Sequence, residues 1–371
     1  MKNVNATLKG LLLATAVIAP VDVSSLRAQT KSWKAETMLA SRRGDQTVVR
    51  TFEGDKILFK NADPQLAIEW GLANARTTVV LAGKYVASDV IDIPRDGVTL
   101  IIDQDAEILL NPETKHTSIT PGFRGRNGKL YPVTSVIYNR GRSNVRVMCF
   151  GKAMGGTFPV MFDGRNKKRT FGIKGGVLVL AGSANDCCWL VDSRGVHVPF
   201  VGVNSGLAAV LALEGCEDCK LGTLVNLANE PGGKTGEVVD LNSSCRRITI
   251  ERLIGERSQE IIDMNGSHAD VKELVSIGEP QKLLCFCVRA GRRFTSRAAC
   301  PDRLDVWKAT VLEDAKSAAL RVEVPKLPEA LPRFTVKATV EVTLKDGRKK
   351  LYAKEVEIDV RDGRLKPERK K

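Results

Sequence analysis

The stretch TGEVVDLNSS (residues 235–244) returns in altered form as SQEIIDMNGS (residues 258–267). Glu237, Asp240 and Asn242 of the first recur as Glu260, Asp263 and Asn265 of the second. Alternation of apolar and polar residues marks both as strands with one buried face. A strand pattern that recurs at a fixed period is the mark of stacked structural units rather than of a sandwich of hairpins. The period set by Thr235 and Ser258 extends outward in both directions. One strand series starts at Cys187, Val210, Val238, Ile261 and Leu283. A second starts at Val196, Cys219, Ile248 and Val271.

Two series with one period predict coils that each add a strand to several parallel sheets. The inward column of the first series is expected to be Cys188, Leu211, Val239, Ile262 and Leu284. Beside it run Leu190, Leu213, Leu241, Met264 and Phe286. Asp240, Asp263, Asn242 and Asn265 then point outward. The segment NEPGGKTG (residues 229–236) reads as a loop bulging from one coil.

Upstream, NADPQLAIEWGLANA (residues 61–75) predicts a helix capped by Asp63, with Pro64 in its first turn and Leu66, Trp70 and Ala73 on one face. Downstream, FTVKATVEVTL (residues 334–344) alternates strictly, KDGR turns, and LYAKEVEIDV (residues 351–360) returns. This is a small antiparallel β module, expected to pack on the end of the stack or to stand as an accessory domain. The expected organisation is a signal peptide (1–28), N-terminal strands (29–60), the coils (61–304), the β module (305–362) and a basic tail (363–371).

The helix, the segment VVLAGKYVASDVIDIPRDGVTLIIDQDAEILL (residues 79–110) and the evenly spaced coils resemble the pectin-lyase-like superfamily. The resemblance covers roughly residues 60–300. It implies an all-β, right-handed parallel β-helix with an N-terminal capping helix. Polysaccharide lyases, galacturonan hydrolases, sugar epimerases and non-catalytic surface proteins share that fold, so the site must choose among them.

Rungs about 4.8 Å apart would stack Asp240 on Asp263 and Glu237 on Glu260. Carboxylates so close favour either a raised pKa in one of them or a cation between them. Glu237 and Glu260 are therefore the candidate catalytic acids. Asp240 and Asp263 are the candidate ligands of a Ca2+ ion, the alternative being no cofactor. Lys282, where the next coil brings it under Glu260, is the candidate base for β-elimination. Lys234, Arg246 and Arg257 join Asp240 and Asp263 as candidate substrate-binding residues. The galacturonan hydrolases carry N-T-D, D-D, G-H-G and R-I-K in order. Here Glu237 and Glu260 stand in the first two places, no Gly-His-Gly follows, and His116, His197 and His268 lie elsewhere.

Three residues before each start of the second series lie Ser193, Cys216, Cys245 and His268. Stacking would bring Cys216 and Cys245 within disulfide range, about 5 Å between Cα atoms; the alternative is two buried thiols. The lone C-x-x-C of Cys216 and Cys219 and the C-x-C of Cys285 and Cys287 lack the second pair of a zinc site. The loops GRNKKRTFG (residues 164–172) and RAGRRFTSR (residues 289–297) are basic.

LLLATAVIAP (residues 11–20), after Lys2 and Lys9, reads as the apolar core of a secretory signal and is too short to span a bilayer. The expectation is a secreted or periplasmic monomer. The net charge of +14 favours an anionic polymer. With no motif for reading bases, nucleic acid is not an expected partner. An acidic polysaccharide is, to be bound or cleaved by β-elimination, with a non-catalytic glycan-binding scaffold as the competing class and a galacturonan-type glycoside hydrolase lacking the usual His motif as the second alternative.

Overall fold

The computed structural model describes residues 33–365 except 55, 115–118, 125–129, 166–170, 182–187, 205–208, 229–232, 243, 259, 265, 279–302, 328 and 360–363. The signal segment, Lys282, Leu284, Phe286, Cys187, Cys285, Cys287, Asn265, the 289–297 loop, the core of the 164–172 loop and the end of the basic tail lie outside the described residues. Among the described residues no helix is long and apolar enough to cross a membrane.

From Lys34 onward the described chain is one compact unit, mostly β, with large parallel sheets. Sheet 1 has 13 strands. Its parallel run passes through Ala35–Arg43, Ala75–Val80, Thr99–Ile102, Arg146–Cys149, Val177–Ala181, His197–Asn204, Lys220–Leu227, Ile248–Glu256 and His268–Ile277. Sheet 2 has seven parallel strands: Ile91–Asp92, Ser135–Arg140, Phe158–Asp163, Cys188–Val191, Leu211–Glu214, Val239–Asn242 and Ile262–Met264. The chain visits sheet 2 and sheet 1 alternately, so strands adjacent in either sheet are one pass apart in sequence. A short ladder, Ile173–Lys174 on Ser193–Arg194, continues through single bridges to Glu217 and Arg246 between the two sheets.

The inward columns of sheet 2 stack in register. Cys188, Leu211, Val239 and Ile262 are successive partners, as are Leu190, Leu213, Leu241 and Met264. All eight are at most 1% exposed. Like stacks on like because each strand presents the same parity to the interior. In sheet 1 the expected frame slips at its last step: Ile248 pairs with Ala269, and Val271 pairs with Ile250. The connection from sheet 2 is shorter there, and small Ala269 takes the first inward place.

The helix runs Pro64–Asn74, and the Asp63 carboxylate accepts from the Gln65 N–H at 3.0 Å. Its buried face differs from expectation. Ala67, Ile68, Gly71 and Leu72 are buried, whereas Leu66 is 47% exposed. The helix approaches the Ala75–Val80 strand through its smallest residue: a Cβ on Gly71 would meet Thr78 Cγ2 at 3.0 Å. Trp70 instead stacks on Phe59, with ring centroids 5.0 Å apart.

The C-terminal strands Ala315–Glu323, Arg333–Leu344, Lys349–Asp359 and Arg364–Leu365 form a four-stranded antiparallel sheet. It lies over the outward face of sheet 1 rather than at the end of the stack. Phe334, Val336, Ala338, Val340, Val342 and Leu344 pack with Phe200, Val225, Ile254 and Val275 in one cluster. Sheet 1 is thus covered on both faces, which explains its nearly continuous apolar strands. Arg303–Val306 and Ala309–Leu312 pair in parallel with His268–Ile277, so sheet 1 extends past residue 304 and the antiparallel sheet begins at Ala315.

Candidate functional site

The outward face of sheet 2 is buried in its middle, where Tyr138, Met161 and Trp189 cluster with Val90 and Val133, and is half-buried at its acidic end. One column along it reads Asp92, Tyr138, Met161, Trp189, Ala212, Asp240 and Asp263, each residue in register with the next. The acidic end is built by two passes held together at their entry. Thr235 bridges to Ser258, and their buried hydroxyls lie 2.8 Å apart. The Thr235 hydroxyl also lies 2.8 Å from the Glu256 carbonyl, and Asn226 donates to the Glu237 carbonyl at 2.8 Å. Just past this clamp, Glu237 and Glu260 occupy equivalent positions.

Carboxylate oxygens of Glu237, Glu260 and Asp263 lie within 4.8 Å of one another, and all three residues are half-buried. The cation ligands expected were Asp240 and Asp263. Those two do face each other in register, but Asn242 Nδ2 donates to Asp240 Oδ2 at 2.6 Å and ties that carboxylate along its own strand. Glu237 and Glu260 complete the triad instead.

The basic candidates are dispersed. Lys234 stands immediately before the clamp and is exposed. Arg257 follows Glu256 at the end of its sheet 1 strand, with φ of 46°, and packs against the backbone of Gly278. Its charge acts against the burial that raises the Glu256 carboxyl. Arg246 lies past the far end of the Val239–Asn242 strand, in the bridge to Glu217, and does not share the corner of Glu237 and Glu260. Its neighbour Arg247 pairs with Glu217 and with Asp218, whose carboxyl the Arg247 and Arg194 guanidiniums lower to about 2.

Cys216 and Cys245 occupy successive rungs but are free thiols, contrary to the bridge expected as one alternative. Burial raises the Cys216 thiol, which hydrogen-bonds with both Cys219 and Cys245. Cys245 is not under His268. Ser267 takes that place, accepting from the Cys245 N–H at 3.1 Å and donating to the Leu241 carbonyl at 3.0 Å. The slip in the sheet 1 frame causes this difference.

A second cluster on the same face escaped the sequence reading. Arg165 donates to both carboxylate oxygens of Asp163 at 2.8 and 2.7 Å, and the Tyr138 hydroxyl donates to Asp163 Oδ2 at 2.8 Å. The guanidinium lies 5.5 Å from the Trp189 ring centroid. Beyond it stand Asp192 and Glu214, both with carboxyls raised primarily by burial. Asp163 adds to that rise in both, and Arg165 opposes it. The available signal was an acid at the end of successive sheet 2 strands: MFDG, LVDS and ALEG.

No protein-family model, curated protein or solved structure matches the chain.

Proposed function

We propose that the chain winds as a right-handed parallel β-helix of the pectin-lyase-like kind and, once exported, binds an anionic polysaccharide through a Ca2+ ion held by Glu237, Glu260 and Asp263. The observation that carries this reading is the mutual approach of the three carboxylates within 4.8 Å. Ligand oxygens at about 2.4 Å from one calcium ion are at most about 4.8 Å apart, whereas magnesium's shorter bonds ask for a tighter set. The donor chemistry also fits, since hard carboxylate oxygens suit a hard cation.

The cation reconciles two features that otherwise conflict. The chain as a whole carries +14, which favours an anionic polymer. The sheet 2 face, however, carries the half-buried Asp192, Glu214, Glu237, Asp240, Glu260 and Asp263, which would repel a uronate. A divalent ion on the triad turns that repulsion into a bridge between protein and sugar carboxylates. Lys234 flanks the triad and suits a second sugar carboxylate.

The test is binding of polygalacturonate, alginate and a neutral dextran by titration calorimetry, with Ca2+ or with a chelator. Uronate binding that needs Ca2+, disappears in Glu237→Gln/Glu260→Gln and is absent for dextran supports the reading. Uronate binding of equal strength in chelator, or binding by the double variant equal to that of the parent, overturns it.

A further inference from the structure

Where the chain leaves sheet 2 for sheet 1, past the far ends of the strands from the Thr235–Ser258 clamp, one corner is built five times. Asn144, Gly175, Gly195, Asp218 and Arg247 succeed one another at its left-handed position, with φ of 56°, 66°, 70°, 55° and 53°. Backbone bonds tie each corner to the next. The Asn144 N–H donates to the Lys174 carbonyl at 3.0 Å, Gly175 to Arg194 at 2.8 Å, Gly195 to Glu217 at 3.0 Å and Asp218 to Arg246 at 3.1 Å. Two places before the left-handed position the chain is buried, at Ile173, Ser193, Cys216 and Cys245. The residue between must then point outward, and Lys174, Arg194 and Arg246 are exposed there. Exposed Arg142 begins the line beside Ser143, whose hydroxyl accepts from the Lys174 N–H at 3.0 Å. Five rungs about 4.8 Å apart make a ridge about 19 Å long.

The ridge carries five cations, Arg142, Lys174, Arg194, Arg246 and Arg247, against two acids, Glu217 and Asp218. Its own arginines hold both acids. Arg247 pairs with Glu217 and, at 2.5 Å, with Asp218, while Arg194 Nε donates to the other Asp218 oxygen at 2.8 Å. Among the described residues no ion pair engages Arg142, Lys174 or Arg246. The undescribed segment 166–170 adds Lys167, Lys168 and Arg169 and no acid, so its charge does not offset the excess. Cations in a single file, spaced by the rungs, suit a linear polyanion laid along the stack. A guanidinium offers two parallel N–H donors to two oxygens of one oxyanion and is more weakly hydrated than an ammonium. A sulfate ester fits this best: it stands off the sugar ring on its own oxygen, reaches further than a ring carboxylate, and stays ionised.

We infer that this ridge binds a sulfated polysaccharide along the stack, without calcium and independently of the carboxylate triad. The chain then has two polymer surfaces of opposite character. The triad takes carboxylates through a cation, and the ridge takes sulfates directly. Arg246, remote from Glu237 and Glu260, finds its role here. The ridge charges are exposed, so salt screens their attraction for the polymer. Asp218 restrains the site, because it occupies donors of both Arg194 and Arg247 that would otherwise face the ligand.

The experiment titrates the full chain with dextran sulfate in chelator, at low and at high salt. Unsulfated dextran, polygalacturonate, a DNA duplex and phosphatidylserine vesicles serve as comparisons at equal anion concentration. Dextran sulfate should bind most tightly, weaken at high salt, and bind Glu237→Gln/Glu260→Gln as well as it binds the parent. Arg142→Gln/Lys174→Gln/Arg246→Gln, melting as the parent does, should raise Kd by about 10-fold or more. The single variant Lys174→Glu should weaken binding too, and Asp218→Asn should tighten it. Lys316→Gln/Lys337→Gln/Lys350→Gln removes three exposed lysines of the antiparallel sheet instead and should change Kd by less than about twofold. Equal weakening by the two triple variants assigns binding to net charge and overturns the ridge, as does parent-like binding by Lys174→Glu. Tighter binding of DNA, vesicles or polygalacturonate overturns the sulfated glycan as partner. Dextran sulfate binding that needs Ca2+ or fails in Glu237→Gln/Glu260→Gln overturns the independence from the triad, and no binding at all overturns the inference.

Discussion

Replacing Glu260 by Gln removes one charge from a triad whose oxygens lie within 4.8 Å of one another. At that separation each like-charge pair costs about 1 kcal/mol in a water-like dielectric and about 3 kcal/mol at an effective dielectric of 20. The three side chains are half-buried, so the lower end applies to each pair. Glu260 takes part in two pairs, so without a cation the variant gains about 2 kcal/mol. Gln keeps the shape and the hydrogen-bonding capacity of the position. Calcium reverses the order, because an ion present at about 100 times its Kd adds about 2.7 kcal/mol to the form that binds it. Thermal unfolding followed by circular dichroism reads both effects. In chelator, Glu260→Gln should melt above the parent; in millimolar Ca2+, the parent should melt above Glu260→Gln. A parent that calcium does not stabilise, or a variant that calcium stabilises equally, refutes the reasoning about the triad.

Other consequences follow from the core and from the buried acids. Leu241 is fully buried between Leu213 and Met264, so Leu241→Ala should cost about 2–5 kcal/mol in urea unfolding, and a loss below about 1 kcal/mol would deny the stacked column. The Glu214 and Asp192 carboxyls are raised in the folded chain, so the folded state binds more protons than the unfolded state above the ordinary carboxyl range near pH 4. Their contribution to stability is present at low pH and falls as pH rises through the folded-state values. Glu214→Gln should therefore be more stable than the parent at neutral pH, with the difference vanishing on acidification; a variant less stable at neutral pH contradicts the desolvation argument.

Much of the stack is legible in the chain because its signals are local and periodic. The alternation around Val239 returns around Ile262, and that recurrence suffices to pair Asp240 with Asp263 and to bring Glu237 over Glu260. Small residues defeat the same logic. Ala269 carries too little hydrophobic signal to mark the inward start of its strand, so the pattern points to Val271 and puts His268 where Ser267 stands. Gly71 and Ala67 similarly hide the buried side of the helix, which is chosen by close approach to Thr78 rather than by bulk. The cover over sheet 1 left a readable trace in Phe200, Val225 and Ile254, apolar residues on what would otherwise be a solvent face.

The candidate site divides the same way. The triad comes from two copies of one motif. The cluster of Tyr138, Asp163, Arg165, Asp192 and Glu214 comes from four separate passes at unequal spacings, each supplying one or two ordinary-looking residues. Only pairing in register brings them together. Asp163 immediately precedes the basic 164–172 loop and Arg165 belongs to it, and that loop's sequence suggests a solvated surface rather than a guanidinium committed to a buried carboxylate.

The account depends on side chains one coil apart in sequence becoming vertical neighbours on one outer face. Cross-linking reads this directly, because Cα atoms one rung apart, about 4.8 Å, can accept a disulfide. Asp240→Cys/Asp263→Cys, oxidised with glutathione disulfide and mapped by mass spectrometry of its peptides, should yield the 240–263 bridge in high proportion. Asp240→Cys/Met264→Cys should not, since Met264 points into the core. Cross-linking of the second pair and not the first would contradict the register on which the triad is built.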